Sequence, residues 1–383
     1  MPRSPRAPRL EDFRSPVHGP RLTARLGVWL GSLFLVCFLT GLVSHVHQHP
    51  LPFLVLPPGP SWAYRVNQGL HVAAGTACLP ILLAKMYAAY PRLFARPLLG
   101  GPLRALERGS IAVLVAAAFL QVFTGVANVA QWYYFGFFFT TVHFAMAWVV
   151  IGALAVHIAV KLPVIREALA RPLEDEPEVA SDGSPVVPDR RWFLGSALAV
   201  AAGTVVLTVG SAVPALEGVS VLRSRRPSTS PEGIPINKTA ASAGVTATAV
   251  DASWRLELSG PAGSRSLSLE ELLGLPSTTV SLPIACVEGW SAMGTWTGVR
   301  LRDLAALVGG GARDVRVRSL ERDGLYATSV LPAVYADHDD TLLALQLNGA
   351  PLSLDHGRPA RIIAPNRPGV LQTKWVSRVE VLA

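Results

Sequence analysis

Two kinds of residue in this 383-residue chain stand where they could do redox chemistry. One is a set of histidines in stretches free of charge; the other is a lone thiol in a more polar stretch. His71 lies in the uncharged run 66–84, and His143 and His157 lie between Gly109 and Val160, which holds no Asp, Glu, Lys or Arg. An ionisable group inside such a run is costly, which makes it a functional candidate. On a helix, residues fourteen apart face one side, about 21 Å apart along the axis. His143 and His157 have that spacing, so one helix could offer a ligand near each of its ends. His71 begins its run at the same side as His143, and two imidazoles at one depth can hold a haem iron between them. Fourteen residues past His71 stands Lys85, so a second haem on His157 lacks a matching histidine. His45, ending the first run, is a rival ligand. His45, His47 and His49 alternate; on an extended strand they could face a metal, and at a membrane edge they are a wet loop.

The thiol is Cys286, in Ile284-Ala285-Cys286-Val287-Glu288-Gly289-Trp290; the other cysteines, Cys37 and Cys78, lie in apolar runs. A domain with one cysteine forms no internal disulfide. A thiolate is a soft ligand suited to a transition metal, and a buried thiol is equally a small apolar side chain.

The elements that must position these groups follow from charge and hydropathy. Charged residues are 16% of the chain, against about 25% in an ordinary soluble domain, and the mean hydropathy is +0.38. This excludes intrinsic disorder, a disulfide-stapled mini-protein and a fully soluble cytosolic enzyme. No basic patch alternates with aromatics, so nucleic acid is no partner. Residues 1–213 carry net charge +7 and residues 214–383 net +1, so the basic character belongs to the first part. Uncharged runs at 26–44, 66–84, 109–160 (two spans with a turn at 131–138) and 192–216 predict five membrane spans at about 20 residues each. Residues 1–25, 85–108 and 161–191 carry 6, 5 and 5 Lys+Arg, whereas 45–65 carries Arg65 alone. The excess places those three segments in the cytoplasm and residues 217–383 outside it.

The joint PLEDEPEVASDGSPVVPD is acidic and Pro-rich, as a flexible linker is. Arg190-Arg191-Trp192-Phe193-Leu194-Gly195 then resembles a twin-arginine export signal, here internal. Beyond it, strands are predicted at 254–258, 278–284, 315–319, 326–331, 361–363 and 375–382, with helical turns at 268–273 and 301–308. Strands and short helices mix without a βαβ repeat, which predicts an α+β domain. The organisation read from the chain is a tail, 1–25; a four-helix membrane domain, 26–165; a linker, 166–190; a fifth transmembrane helix, 191–216; a linker, 217–232; and the α+β domain, 233–383.

Three separated stretches carry a resemblance. CVEGWSAMGTWTGVRLRDL resembles the cysteine segment of the sulfite-oxidase-type molybdopterin oxidoreductases. His356-Gly357-Arg358-Pro359-Ala360-Arg361, followed by Pro365, Gly369 and Lys374-Trp375, is similar to that family's pterin-binding segment. Pro235-Ile236-Asn237-Lys238-Thr239-Ala240 completes the order. The resemblance implies that Cys286 is the catalytic ligand of molybdenum and that Arg361 and Lys374 hold the anionic pterin, which their charge suits. It places His356, Ser319, Asn237, Gln372 and Thr373 near the cofactor, and Trp290 at a substrate funnel or in the core. The family's oxyanion-holding arginines have no matched set here; Arg316, Arg318 and Arg322 lie near Ser319 in sequence. Residues 20–165 are similar to the four-helix cytochrome b membrane subunits of bacterial oxidoreductases, which implies a b-type haem.

The function so implied is oxygen-atom transfer on a small or protein-borne sulfur substrate. Electrons would pass through the haem to or from a quinone or another membrane carrier. A sulfoxide reductase is favoured over a sulfite dehydrogenase. The reading from another class is a non-catalytic, membrane-anchored binding module, and molybdenum content separates the two.

Overall fold

Five apolar runs become five long helices in a computed structural model of the chain, which describes residues 13, 15–51, 53–95, 100–133, 136–173, 190–211, 213–221, 230 and 232–382. They are α1 (Pro20–Gln48), α2 (Ala63–Ala89), α3 (Pro102–Val129), α4 (Phe139–Ala170) and α5 (Arg190–Thr208). Each is long and apolar enough to cross a membrane. Pro102 opens α3, where its missing N–H costs nothing. The expected N-terminal tail up to residue 12 and most of both linkers (174–189, 222–229 and 231) lie outside the described residues.

The chain divides into two compact units. One holds Met1–Gly41, Leu70–Gly210 and Ala215–Leu222; the other holds Leu42–Gly69, Ser211–Pro214 and Arg223–Ala383. In the helical unit, one apolar cluster draws on all five helices. It includes Leu22, Leu26, Leu30 and Phe34 of α1, spaced by four, with Cys78 and Ile81 of α2, Ala117 and Ala118 of α3, Val150 of α4, and Ala197 and Ala201 of α5. Small residues at these contacts let helices approach where lipid removes the hydrophobic drive. The outward surface is also apolar: only 6% of the α4 window is buried, and Val149, Val156, Ile158 and Val160 are exposed. A helix hydrophobic all round suits lipid rather than water.

The second unit is β-rich. Its strands are β1 (Arg255–Gly260), β2 (Gly263–Ser268), β3 (Thr278–Ala285), β4 (Ser291–Arg300), β5 (Val315–Ser319), β6 (Thr328–Leu331), β7 (Leu342–Leu347), β8 (Ala350–Pro351), β9 (Arg361–Ile363) and β10 (Val376–Val381). One sheet runs β2-β1-β10-β5-β6, with β1 and β10 parallel and the remaining pairs antiparallel. The other runs β3-β4-β7-β8, and β9 also pairs with β7. The helical share of the α+β expectation is confined to short pieces such as Leu269–Leu273 and Leu301–Ala306. The first of these carries a capping box between Ser268 and Glu271.

Four strands go beyond the alternation in the sequence, each for a physical reason. β7 is buried at all but one position, so it has no polar face to alternate. β2 is mostly exposed and takes its register from β1. β4 opens on Ser291-Ala292-Met293-Gly294 and is paired on both sides, by β3 and β7. β8 is a two-residue return behind Asn348-Gly349, whose φ values of 52° and 82° fit the mirror-image turn of a tight hairpin.

Candidate functional site

Cys286 follows β3 directly. Its N–H donates to the Trp290 carbonyl at 2.8 Å and its carbonyl accepts from Gly289 N–H at 3.0 Å, so a tight turn presents the thiol. It is buried among Ile284, Trp290, Trp296 and Ile363. Trp290 is thus a core residue, with its Nε1–H donating to Glu288 at 3.0 Å. Burial, and then Glu288, push the thiol well above its ordinary range, while Lys374 pulls it down.

Arg361 opens β9, and the loop from β9 to β10 carries the other expected residues. Arg361 is 2% exposed; its guanidinium lies over the Trp296 ring at 5.4 Å and donates to the His356 carbonyl at 3.3 Å. Burial lowers it to about 10, against which Cys286 acts. Lys374 Nζ donates to the carbonyls of Lys238 at 2.6 Å and Asp355 at 2.8 Å. Burial, and then Arg361, hold it well below its usual range. His356 Nε2 meets Ser230 Oγ at 2.9 Å and the Ile234 carbonyl at 3.1 Å. Burial lowers His356 to about 4, with Arg361 adding to the effect and Glu232 opposing it.

The remaining expected residues build the loop. Ser319 Oγ donates to the Lys374 carbonyl at 2.8 Å. Thr373 Oγ1 pairs with Ser329 Oγ at 2.7 Å, and Gln372 Nε2 donates to the carbonyls of Ala364 and Arg367 at 3.3 and 3.0 Å. Asn237 precedes Lys238, whose ammonium pairs with Glu321. The surface arginines do not join this group: Arg316 pairs with Glu380 at 3.0 Å, and Arg318 and Arg322 are exposed.

These residues fit an anionic pterin cofactor. Among the described residues, Arg361 Nε, His356 Nδ1 and Gln372 Oε1 are buried polar atoms without a protein partner, a rarity in folded proteins that calls for a ligand or water. A buried arginine and a half-buried lysine beside a thiol are costly alone and are repaid by an anion. Among the described residues no three His, Cys, Asp or Glu side chains converge, so a metal here would need donors from the cofactor.

The helical unit brings His71 of α2 and His143 of α4 together, with ring centroids 6.1 Å apart. Two imidazoles sharing one metal at about 2.0–2.1 Å per nitrogen place their centroids at roughly that separation. Each Nδ1 meets a threonine hydroxyl at 2.9 Å, Thr40 of α1 for His71 and Thr124 of α3 for His143. Next to each threonine is a glycine: a Cβ on Gly41 would stand 3.4 Å from His71 Cε1, and one on Gly125 3.3 Å from His143 Cε1. Gln121 Nε2 is 2.9 Å from His143 Nε2. The Thr-Gly pair recurring at 40–41 and 124–125 is a sequence signal that a search for titratable residues misses. His157 lies farther along α4, and Lys85 donates to the Thr23 carbonyl at 2.9 Å. The His45–His49 alternation does not form an extended strand. Helix α1 runs on to Gln48, so His45 and His49, four apart, stack at 4.7 Å.

The β-rich unit matches a known family. Residues 243–383 fit the one described as "Oxidoreductase molybdopterin binding domain". Among similar proteins, a putative protein-methionine-sulfoxide reductase subunit, YedZ1, of Azospira oryzae is 34% identical over 34% of this chain and 49% of its own length. The mitochondrial sulfite oxidase of Drosophila melanogaster is 30% identical over 33% of this chain and 27% of its own length. A nitrate reductase of Volvox carteri is 34% identical over 30% of this chain and 17% of its own length. The chain thus spans at most about half the length of these relatives. With the buried Cys286, Arg361 and Lys374 arrangement on one side and these likenesses on the other, residues 243–383 are a molybdopterin-binding oxidoreductase domain of the sulfite-oxidase type.

Proposed function

We propose that the chain is a membrane-spanning, molybdopterin-dependent oxidoreductase that takes oxygen from a neutral sulfoxide. Electrons would arrive from a quinol or another membrane donor through a b-type haem on His71 and His143. The observation that carries the reading is the buried set of Cys286, Arg361 and His356 with the half-buried Lys374. In the overall change a sulfoxide takes up two electrons and two protons, its sulfur–oxygen bond breaks, and a sulfide and one water are formed.

The cofactor's part is two-electron oxygen-atom exchange. The chain's part is placement. Cys286 offers a thiolate to molybdenum from a rigid turn. Arg361 and Lys374 hold the pterin's negative charge in a site where burial makes ion pairing strong. His356, Asn237, Gln372 and Thr373 orient the cofactor, and Ser319 fixes Lys374 through its carbonyl. Core residues around Cys286 keep water from the sulfur.

A neutral oxide is favoured over sulfite because the arginines offered by the sequence for an oxyanion are engaged or exposed: Arg316 is tied to Glu380. Likeness to the putative protein-methionine-sulfoxide reductase subunit of Azospira oryzae points the same way. The sulfite-dehydrogenase reading draws its support from likeness to sulfite oxidases. The Lys and Arg distribution supports five spans with the β-rich unit outside the cytoplasm, and Arg190-Arg191 supports export by the twin-arginine route.

Metal analysis joined to a visible spectrum tests the reading. Molybdenum is expected, with a reduced haem that methionine sulfoxide bleaches. Reduction of the haem by sulfite instead would establish the reverse direction, and protein free of molybdenum would leave the binding-module reading standing.

A further inference from the structure

The unit that contains Cys286 also contains the segment Leu42–Gly69. One side chain of the β9–β10 loop holds that segment twice. Asn366 Oδ1 accepts from the Tyr64 N–H at 2.7 Å, and its Nδ2 donates to the Pro57 carbonyl at 2.8 Å. Tyr335 Oη donates to the same carbonyl at 3.3 Å. Asn366 has φ of 51° and is 5% exposed, a left-handed backbone uncommon outside glycine and informative where it occurs. Here it turns a side chain from the loop carrying Lys374 toward residues some 300 positions earlier.

The residue so held is Tyr64, which is 1% exposed. Its Oη lies 3.0 Å from Ser44 Oγ, and its ring packs against His47 at 5.0 Å. Tyr64 is within electrostatic range of both Cys286 and Tyr326, and Tyr326 within range of Cys286. The loop bearing Asn366 also meets the Cys286 turn itself: Pro368 bridges Ala285, and a Cβ on Gly369 would stand 3.2 Å from the Ala285 carbonyl.

We propose that Tyr64 is a substrate-contacting residue of the Cys286 site, donating its hydroxyl to the oxygen of a neutral S-oxide, and that Asn366 is the positioning residue that latches it there. The proposal rests on the molybdenum reading of Cys286. The chemistry fits: a sulfinyl oxygen is a strong acceptor without a full charge, and a phenol is a neutral donor. Ser44 Oγ–H can donate to Tyr64 Oη, which leaves the phenolic proton free for the substrate. The contact is a hydrogen bond, and the proton stays on Tyr64.

The test uses the full-length, cofactor-loaded protein with dimethyl sulfoxide as substrate and a reduced viologen dye as electron donor. Tyr64→Phe is expected to raise KM roughly tenfold, as loss of one buried donor does, and to change the response of the Mo(V) electron paramagnetic resonance signal to dimethyl sulfoxide. Asn366→Ala is expected to do the same and to speed amide exchange at Tyr64. Asn366→Asp keeps the acceptor for that amide and is expected to restore slow exchange and most of the KM. An unchanged KM and resonance signal in Tyr64→Phe overturns the contact. Unchanged amide exchange in Asn366→Ala overturns the latch. Wild-type protein without molybdenum overturns the molybdenum reading and the contact with it, and the exchange experiment still decides the latch.

Discussion

The helical unit and the β-rich unit both bury groups that water would solvate, and they do so by opposite means. In the helical unit these groups are half-buried imidazoles in uncharged stretches of helix, and their partners are neutral: Thr40, Thr124 and Gln121. In the β-rich unit the groups are a buried arginine and thiol and a half-buried lysine, and the cations are met mainly by backbone carbonyls of His356, Lys238 and Asp355. The difference teaches what each can hold. A neutral imidazole pair leaves the charge to whatever lies between the rings, whereas a cationic cradle selects for an anion before any metal is considered.

The sharpest way to break the comparison is to delete one proposed ligand from each unit. Cys286→Ala should abolish sulfoxide reduction to background and leave the haem spectrum intact. His143→Ala should remove the b-type spectrum and quinol-driven turnover, while reduction with a viologen dye and the molybdenum content stay unchanged. If either deletion empties both sites, the units are not independent cofactor holders.

Weakening the cationic cradle comes next. Lys374→Ala should lower molybdopterin occupancy by about 10–100-fold, the range for outer-shell partners of a metal site, measured as molybdenum per protein. No such loss is expected from Arg316→Ala, since Arg316 pairs at the sheet with Glu380.

Acid should find the β-rich unit through His356. Its folded value of about 4 lies below the ordinary 6.5, so the unfolded chain binds the extra proton between them. The stabilisation is complete above the ordinary value and is lost as pH falls toward the folded one. Denaturant unfolding at neutral pH and near pH 4 should reveal it, and His356→Asn should flatten that limb.

The smallest effect is expected in the helical unit. Thr40→Val removes one neutral hydrogen bond, worth about 1 kcal/mol, and should shift the haem midpoint potential by a few tens of millivolts without loss of haem. Loss of the haem would mean that the threonine builds the site rather than tunes it.

Much of the fold was legible along the chain. The long helices follow from runs that only a membrane or a deep core tolerates, and Val315–Ser319 or Thr278–Ile284 read as strands from composition and pattern. β7 was not legible, because Leu342–Leu347 is apolar almost throughout and shows neither strand nor helix period. At the site, Cys286, Arg361 and Lys374 stood out through motif order. Tyr64 and Asn366 did not, since each is ordinary in its own neighbourhood and gains meaning only through the other.

What the sequence by itself determined is what consecutive residues carry: spans of uncharged length, the same-face spacing of His143 and His157, and the order of the three motif stretches. The tertiary structure decided which of these meet. It brought His71 rather than His45 to His143, engaged Arg316 at the sheet, and joined Asn366 to Tyr64 across some 300 positions. The reason is physical. Helix and strand propensities are local, whereas the convergence of side chains depends on packing between segments that no single stretch encodes.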